Sequence, residues 1–384
     1  MFKRNNLYQI CSTCVMDTSD PNIVLNENEI CNHCLSYEER KKQIILPSPE
    51  REEKLNSIIT ALKNKNKNKD YDCIIGLSGG IDSSYLAYWA SKVAKLRLLA
   101  VHVDGGWNSE IATSNIEKLV KTLGIDLHTH VFDWNAMQDL QVAFLCSGVA
   151  NQDTPQDHAF FAALYNFACK HNIKVMLSGY NFVSESVLPT AWGHSAMDLD
   201  QINDIHKKFG KGSLRAFPCV SFFKNYVYYP FIKKMQVISP LNYIDYNPYN
   251  AIEILEREIG WKYYGGKHYE SRFTKFFQSY WLPERFGFDK RRAHLSSLVL
   301  AGIISRDEAL KQLDIKAYND ETIELDKAFV SKKLGLSVEE LNALMQIPIK
   351  NYTDYANNQR KMKILSIFKY IYSLPFTLYK RVCK

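Results

Sequence analysis

The chain has no apolar run approaching the ~18 residues that a membrane-crossing helix needs, which excludes a spanning segment. Its first residues, Met-Phe-Lys-Arg-Asn-Asn, lack the apolar stretch of a secretory leader. It also lacks a strong excess of one charge: 48 Lys and Arg against 41 Asp and Glu leave +7 over 384 residues. So mild a surplus suits an anionic ligand and does not mark a nucleic-acid binder. Low complexity is confined to Lys63-Asn-Lys-Asn-Lys-Asn-Lys69, where no aromatic residue interleaves the charges, so it reads as a solvated linker. With 46% hydrophobic and 23% charged residues, the composition is that of an ordinary globular protein with room for two or three structural units.

Cysteine is not scarce, but four of the nine fall in one pattern, Cys11-Ser-Thr-Cys14 and Cys31-Asn-His-Cys34. Each pair puts two thiolates at the tip of a tight turn, and two tips close a tetrahedral site suited to Zn²⁺. Four thiolates leave no open position, so the role is structural. A redox disulfide pair and an iron–sulfur cluster remain alternatives at this spacing. His33 reads as a neighbour of the site or an exposed residue, not a fifth ligand. Ser36-Tyr-Glu-Glu39 has capping-box spacing and predicts a helix start. The other five cysteines are scattered, as in a reduced, cytoplasmic protein.

What the Gly-rich segment Tyr71-Asp-Cys-Ile-Ile-Gly-Leu-Ser-Gly-Gly-Ile-Asp-Ser-Ser84 lacks is also informative: no Lys follows its glycines, so it is not a Walker loop. A buried strand enters a Ser-Gly-Gly turn and a helix opens at Asp82-Ser83-Ser84. That geometry aims backbone N–H groups and a helix N-terminus at one point, an anion site. Gly79 and Gly80 let the backbone approach a phosphate. Asp82 also reads as a helix N-cap.

Around this turn strands and helices alternate. Strands are predicted at 71–77, 97–103, 127–132 and 173–178, and helices at 83–95, 109–123, from about 135, and at 158–171. Residues 41–69 are a connector with a helix beginning at Ser48-Pro49-Glu50. The pattern is α/β, a parallel sheet with helices on both faces. Ligands bind beyond the carboxyl ends of such strands. There lie Ser78–Ser84, His102-Val-Asp104-Gly-Gly106 and Ser178-Gly179-Tyr-Asn181. Asp104-Gly-Gly also reads as a plain turn. A strand at Gln236-Val-Ile-Ser239, a helix from Pro248 and an aromatic-rich stretch, Trp261 to Phe288, follow. The aromatics suit core packing or stacking on a ligand ring. Ser305-Arg-Asp-Glu308 and Ser337-Val-Glu-Glu340 are capping boxes of further helices. The last segment, Asn357–Lys384, has seven basic and no acidic residues. Its Met362, Leu365, Phe368, Ile371 and Tyr372 recur at helical spacing. Such a basic amphipathic helix suits an anionic membrane surface, a docking partner or packing on the protein body.

The Ser-Gly-Gly-x-Asp-Ser segment resembles the PP-loop of ATP pyrophosphatases. With the cysteine knuckles and the C-terminal half, the chain resembles the N-acetyl sugar amidotransferase family of bacterial surface-polysaccharide and flagellin-sugar biosynthesis. The resemblance covers roughly residues 7–315. It rests further on Asn151-Gln-Asp-Thr-Pro-Gln-Asp-His158, Ser178–Glu185, Gly260-Trp-Lys-Tyr-Tyr-Gly-Gly-Lys-His268, Glu270–Thr274, Phe288-Asp-Lys-Arg-Arg292 and His294-Leu-Ser-Ser297. It implies a PP-loop/adenine nucleotide alpha hydrolase-like fold with an N-terminal zinc ribbon and a mainly helical C-terminal region. The expected units are a ribbon (1–40), a linker with a helix (41–70) and the PP-loop domain (71–240). A substrate-side subdomain (241–315) and a helical tail (316–384) complete them.

The activity so implied is a carbon–nitrogen ligase that forms AMP and pyrophosphate. The acetamido oxygen of a nucleotide-linked or nonulosonic sugar is adenylated, and ammonia then gives an acetamidino group. The cofactors are ATP, Mg²⁺ and structural Zn²⁺. Ser78, Gly79, Gly80, Asp82, Ser83 and Ser84 would cradle the pyrophosphate. Val101, Val103 and Asp104 would lie near adenosine, with Ser178, Gly179 and Asn181 alongside. Asp82, helped by Asn181 or Glu185, would handle Mg²⁺, a cation that prefers oxygen ligands. Lys267 is the expected phosphate-neutralising cation and His268 a proton-transfer group, unless it is a structural histidine. Gln156, Asp157, His158, Glu185 and Arg291 are candidates for the sugar nucleotide, with helix capping the alternative for Asp157 and His158. Lys290, Arg291 and Arg292 read equally as phosphate partners or a solvated basic helix start.

Residue 2 is Phe, so processing cannot expose an N-terminal cysteine nucleophile, and no Gly-x-Cys-x-Gly elbow exists around Cys146 or Cys169. A separate glutaminase or ammonia-channelling subunit is therefore the expected partner, and no nucleic acid is expected. The expected location is cytoplasmic, with a peripheral position at the inner face of the membrane as an alternative. Two other readings compete. One is a tRNA-modifying PP-loop enzyme, which the lack of a further C-x₂-C pair outside the N-terminal four-cysteine pattern, and of a strongly basic domain, disfavours. The other is a non-enzymatic zinc-ribbon nucleotide-binding regulator, which leaves the later polar motifs without a task.

Overall fold

Five short strands form the centre of the molecule: β1 (Cys73–Gly76), β2 (Leu98–Asp104), β3 (Asp126–Val131), β4 (Val175–Leu177) and β5 (Gln236–Ile238). The structure is a computed structural model that describes residues 8–373. All pairings are parallel and the spatial order is β3-β2-β1-β4-β5. From β1 the chain first builds outward through β2 and β3, then crosses to the other side for β4. The crevice beyond the carboxyl ends of β1 and β4 is thus a topological switch point, where open α/β sheets place ligands.

The helices preceding and flanking β1 to β4 are α1 (Asn32–Ile44), α2 (Ser48–Lys65), α3 (Ile81–Tyr88), α4 (Glu110–Leu123), α5 (Trp134–Ser147) and α6 (Thr154–Lys170). After β4 come α7 (Phe182–Glu185), α8 (Leu199–Phe209) and α9 (Pro248–Ile259). Cys73, Ile75 and Leu77 of the β1 segment face a core made with α2, α3, α4 and α9. The intervening Ile74 faces the opposite core, built on α6 and residues 220–235. This two-sided burial explains the unbroken apolar run of β1. Local signals set the helix ends. Ser109 accepts from the Ala112 N–H to start α4, and Gly124, at φ 62°, ends it in the left-handed conformation.

The C-terminal third is helical: α10 (Arg272–Phe276), α11 (Leu282–Phe286), α12 (Lys290–Leu300), α13 (Arg306–Asp314), α14 (Asp320–Leu334), α15 (Val338–Leu344) and α16 (Gln359–Ser373). Both capping boxes read from the sequence, at Ser305 and Ser337, form. Of the aromatic-rich stretch, Trp261, Phe273, Phe276, Phe277 and Trp281 are core, while Tyr263, Tyr264 and Tyr269 line a cavity. Among the described residues no helix is long and apolar enough to cross a membrane. The start of α16 is held to α8 by Lys361 on Asp200, 2.5 Å, whereas Ile364 and Ile367 are exposed. The side chains of Phe368, Ile371 and Tyr372, and everything from residue 374 on, lie outside the described residues.

Two local expectations are corrected. The helix after the second cysteine pair does not start at Ser36. It starts at Asn32 with Cys31 at its N-cap, because the knuckle turn leads straight into it, and Ser36 Oγ bonds back to the His33 carbonyl at 3.2 Å. Nor is Lys63–Lys69 a free linker. α2 runs to Lys65, Asn66 is buried, and its amide donates to the Leu62 and Asp72 carbonyls. Arg97 clamps this turn by donating to the Asn66 and Lys69 carbonyls and pairing with the buried Asp72 at 2.7 Å. The arginine is half-exposed, so its loss costs less than that of a fully buried pair. Arg97→Met should lower the midpoint of urea denaturation, because the buried Asp72 loses its partner and the turn its clamp.

Candidate active site and cysteine cluster

Beyond β1 the chain turns at Ser78-Gly79-Gly80 into α3. Gly79 has φ +81°, and a Cβ there would lie 2.6 Å from the Ala112 carbonyl oxygen, so only glycine fits. The loop is braced from the C-terminal half: Trp261 Nε1 donates to the Gly79 carbonyl at 3.2 Å, and the Ile81 N–H donates to Tyr264 Oη at 3.0 Å. Ser78 Oγ and Ser83 Oγ face each other at 3.2 Å. Glu270 Oε1 accepts from Ser78 Oγ at 3.3 Å and would lie 2.6 Å from a Cβ on Gly80, so that glycine admits the carboxylate.

A cavity of about 850 Å³ opens over this loop. Its lining includes Gly76, Val101, Val103, Phe160, Phe161 and Leu164 from the sheet and α6, and Lys290, Arg291, Leu295, Leu298, Ile315 and Lys316 from the C-terminal third. Between them stands a charged cluster. Lys267 Nζ lies 2.9 Å from Glu185 Oε1, 3.3 Å from Asp82 Oδ2, and donates to Ser184 Oγ at 2.8 Å. Asp82 also accepts from Tyr246 Oη at 2.5 Å and Asn181 Nδ2 at 3.0 Å. Burial disfavours the Lys267 charge, but Asp82 and Glu185 outweigh it and raise its pKa. The two histidines nearby are pushed apart. Burial would lower His268, yet Glu270 raises it. Burial, with Lys267, His268 and Lys290, holds His294 well below the usual range.

Most of the sequence-predicted residues meet here: Ser78, Gly80, Asp82, Ser83, Val101, Val103, Gly179, Gln156, Asp157, Glu185, Lys267, His268 and Arg291 all line the cavity. Gly79 lies just beneath it through its bond to Trp261. Several assigned roles are corrected by the geometry. Ser84 is fully buried below the loop, and Ser178 Oγ accepts from the Tyr180 N–H, so neither hydroxyl reaches the cavity. Asp104 makes the turn, accepting from the Gly106 N–H at 2.7 Å and Asn108 Nδ2 at 3.0 Å. Asn181 caps α7 with its oxygen and turns its amide nitrogen to Asp82, so it orients that carboxylate and offers no free oxygen to a metal. His158 is fully buried outside the cavity, with Nδ1 on the Ala196 carbonyl and Nε2 accepting from the Val220 N–H. Arg291 grips Asp289 and the Gln312 and Ile315 carbonyls. It therefore shapes the wall more than it offers a free charge. With its pKa raised by Glu270, His268 suits an acid or phosphate partner better than a base. Sequence reasoning assigned no site role to Glu270, Asp153, Tyr246, Tyr264 or His294. Their motifs were visible, but nothing local shows which side chains converge.

Cys11, Cys14, Cys31 and Cys34 come together with all four sulfurs within 4.8 Å, fully or nearly buried. The N–H groups of Thr13 and Cys31 donate to Cys11 Sγ and that of Met16 to Cys14 Sγ, at 3.3–3.4 Å. Four thiols so packed and so solvated by amides fit a tetrahedral Zn²⁺. His33 pairs with buried Asp20 at 2.7 Å, away from ligand duty. The cluster docks on α12 and α13. Arg306 donates to the Cys11 and Cys14 carbonyls, Arg292 pairs with Asp17 at 2.9 Å, and the Val15 N–H donates to Ser296 Oγ at 3.1 Å. Arg292 is thus a structural clamp.

Family models match two parts of the chain: LPS biosynthesis protein WbpG-like, C-terminal domain, at residues 270–369, and NAD synthase at residues 53–220. Residues 270–369 thus resemble the C-terminal domain of a WbpG-like lipopolysaccharide-biosynthesis protein and residues 53–220 NAD synthase, a pairing that supports a PP-loop amidotransferase family related to lipopolysaccharide biosynthesis. Both segments contribute to the one cavity, the first through Glu270 and α12, the second through the Ser-Gly-Gly turn and α6. Among solved structures, the chain is similar to an NH₃-dependent NAD synthetase from Campylobacter jejuni, 18% identical over 36% of this chain and 59% of that one, TM-score 0.27. It is also similar to an NMN synthetase from Francisella tularensis, 18% identical over 56% of this chain and 94% of that one, TM-score 0.28. The chain thus spans 59% of the length of the first of these enzymes. A comparison with curated proteins gives no match.

Two expectations follow. Chelation of the metal should lower the melting temperature and speed amide hydrogen exchange in residues 290–300. Unchanged exchange there would show that α12 stands without the ribbon. The second concerns Asp157, whose carboxyl burial raises to about 7, with Asp153 adding and Lys290 and His268 opposing. Its unfolded value is about 3.9, so the folded state keeps a proton the unfolded one releases. That stability is complete below the unfolded value and is lost as pH rises through about 7. Asp157→Asn should therefore gain stability relative to the wild type as pH rises from about 4 to about 7, and level off above that, measured by urea denaturation.

Proposed function

We propose that the chain is an ATP-dependent amidotransferase that converts the acetamido group of a nucleotide-linked or nonulosonic sugar into an acetamidino group. The observation that carries this reading is the single cavity in which the Ser78–Ser83 turn, the Asp82–Lys267–Glu185 cluster and the C-terminal wall with Lys290 face one another. An amide is a poor electrophile. Its oxygen would attack the α-phosphate of ATP, breaking the bond to pyrophosphate and losing the amide N–H proton, to leave a neutral imidoyl adenylate. The turn's N–H groups and hydroxyls would hold the departing pyrophosphate at the N-terminus of α3. Asp82 and Glu185 are hard oxygen donors facing the cavity and would hold Mg²⁺, which neutralises charge on the phosphates when bound. Lys267, and His268 in its protonated form, would offset the negative charge that builds up on the leaving group. The lobe with Val101, Val103 and Leu164 would take adenosine, and the lobe with Lys290 the sugar nucleotide.

Ammonia would then attack the imidoyl carbon as AMP leaves. A separate glutaminase subunit would supply it, and the reaction would take place in the cytoplasm. α16 could bring the chain to an anionic membrane surface through its exposed Ile364 and Ile367. The test is pyrophosphate release from Mg·ATP with ammonium. UDP-linked 2- and 3-acetamido uronic acids and CMP-linked or free nonulosonic acids would be offered in turn, with the product followed by mass spectrometry. Release that depends on one sugar, with oxygen replaced by NH in the product, is the expected result. Release only with bulk tRNA would overturn it.

A further inference from the structure

The charge on the reacting group changes sign of demand during amidation. An acetamide is neutral, whereas an acetamidine is a strong base and leaves as an amidinium cation. A site that serves this reaction needs anionic groups at the acyl carbon, beyond the positive charge that serves the phosphates. Only interactions that strengthen on the way to the transition state accelerate the step.

Such groups stand at the N-cap and in the first turn of α6. Asp153 and Asp157 are one turn apart and so share a helix face, and both line the cavity. Asp153 is buried and held in place, accepting from Thr274 Oγ1 at 3.0 Å and Gln278 Nε2 at 3.2 Å. Asp157 differs: among the described residues no hydrogen bond reaches its carboxyl oxygens, and only burial and the charges of Asp153, Lys290 and His268 act on it. Beside it Gln156 is 2% exposed and lines the same cavity, yet its Nε2 has no partner among the described residues. A buried amide donor without an acceptor is costly, and it points to a ligand oxygen that completes it. An unpartnered carboxyl and an unpartnered amide donor thus sit side by side on a wall with Lys290 opposite.

We propose that Asp157 is the base for the ammonia step and that Asp153 and Asp157 together recognise the amidinium product, with Gln156 donating to an oxygen of the sugar. This rests on the amidotransfer reading above. Ammonium gives a proton to the Asp157 carboxylate. The freed lone pair forms the C–N bond, and the C–O bond to AMP breaks with its electron pair leaving on AMP. Of ammonium's hydrogens, two stay on the new nitrogen, one reaches the sugar-bound nitrogen, and one leaves through Asp157 to solvent. The resulting amidinium faces two carboxylates in a low-dielectric site, where such pairing is strong. Burial raises the Asp157 carboxyl to about 7, and an arriving cation favours its carboxylate form.

The test separates the two half-reactions in the intact chain, using a UDP-linked acetamido uronic acid. The first half is read as sugar-dependent exchange of labelled pyrophosphate into ATP, the second as amidine formed from ammonium at neutral pH. In Asp157→Asn the loss of amidine formation should exceed any loss of exchange by on the order of 10²–10⁴-fold. Raising the pH, so that free ammonia replaces ammonium, should recover much of it. Asp157→Glu should retain more amidine formation than Asp157→Asn, and Asp153→Asn should weaken binding of the amidine product more than that of the acetamido substrate. Equal losses in both halves, or wild-type amidine formation in Asp157→Asn, would overturn the proposal. A wild-type chain with no sugar-dependent exchange would instead overturn the amidotransfer reading on which it stands.

Discussion

A buried ammonium group ties the cavity together. Lys267 has given up water for Asp82 on α3, Glu185 on α7 and the Ser184 hydroxyl. Taking such charges out of water is expensive, and close geometry with further hydrogen bonds is what offsets it. Tyr246 and Asn181 supply those further bonds on Asp82. The three charged residues are far apart in the chain and belong to different elements, so the sheet, the segment after β4 and the 261–268 loop must all be in place before any one of them is satisfied. Removing a single member would strand the others, at a cost of about 3–5 kcal/mol. An entering phosphate finds this charge already oriented, which is the condition for electrostatic catalysis without reorganisation.

The same logic of support extends outward. α12 has two working faces. Lys290, Arg291, His294, Leu295 and Leu298 look into the cavity. Arg292, Ala293 and Ser296 hold the cysteine cluster, and Ser297 Oγ takes the Val187 N–H at 2.9 Å. The cysteine cluster therefore bears on the cavity mechanically, by fixing the helix that forms one wall. The 261–264 aromatics do the equivalent on the other side, bracing the Ser-Gly-Gly turn through Trp261 and Tyr264.

Much of this was legible in the chain itself. The apolar run of β1 followed by Ser-Gly-Gly, the alternation that made a parallel sheet, and the paired cysteines are local signals, and each local signal has one dominant structural solution. Ser36 and His158 show where local reading fails. Ser36 has capping spacing but lies inside a helix that the cysteine turn had already started. His158 looks like a polar residue at a helix start, yet two backbone groups from 196 and 220 consume both its nitrogens.

By itself the sequence determined the sheet class, the strand–turn–helix at Ser78–Ser84 and the grouping of the four cysteines, because glycine conformation, strand burial and thiol spacing act over a few residues. Only the tertiary structure decided which charges face one another. It made Asn181 an orienting group for Asp82, brought Glu270 against Gly80, set His268 and His294 to opposite protonation tendencies, and left the Asp157 carboxyl facing the cavity without a hydrogen bond among the described residues. Those outcomes depend on burial and on distances between elements remote in the chain, and desolvation and Coulomb energies are set by that three-dimensional neighbourhood.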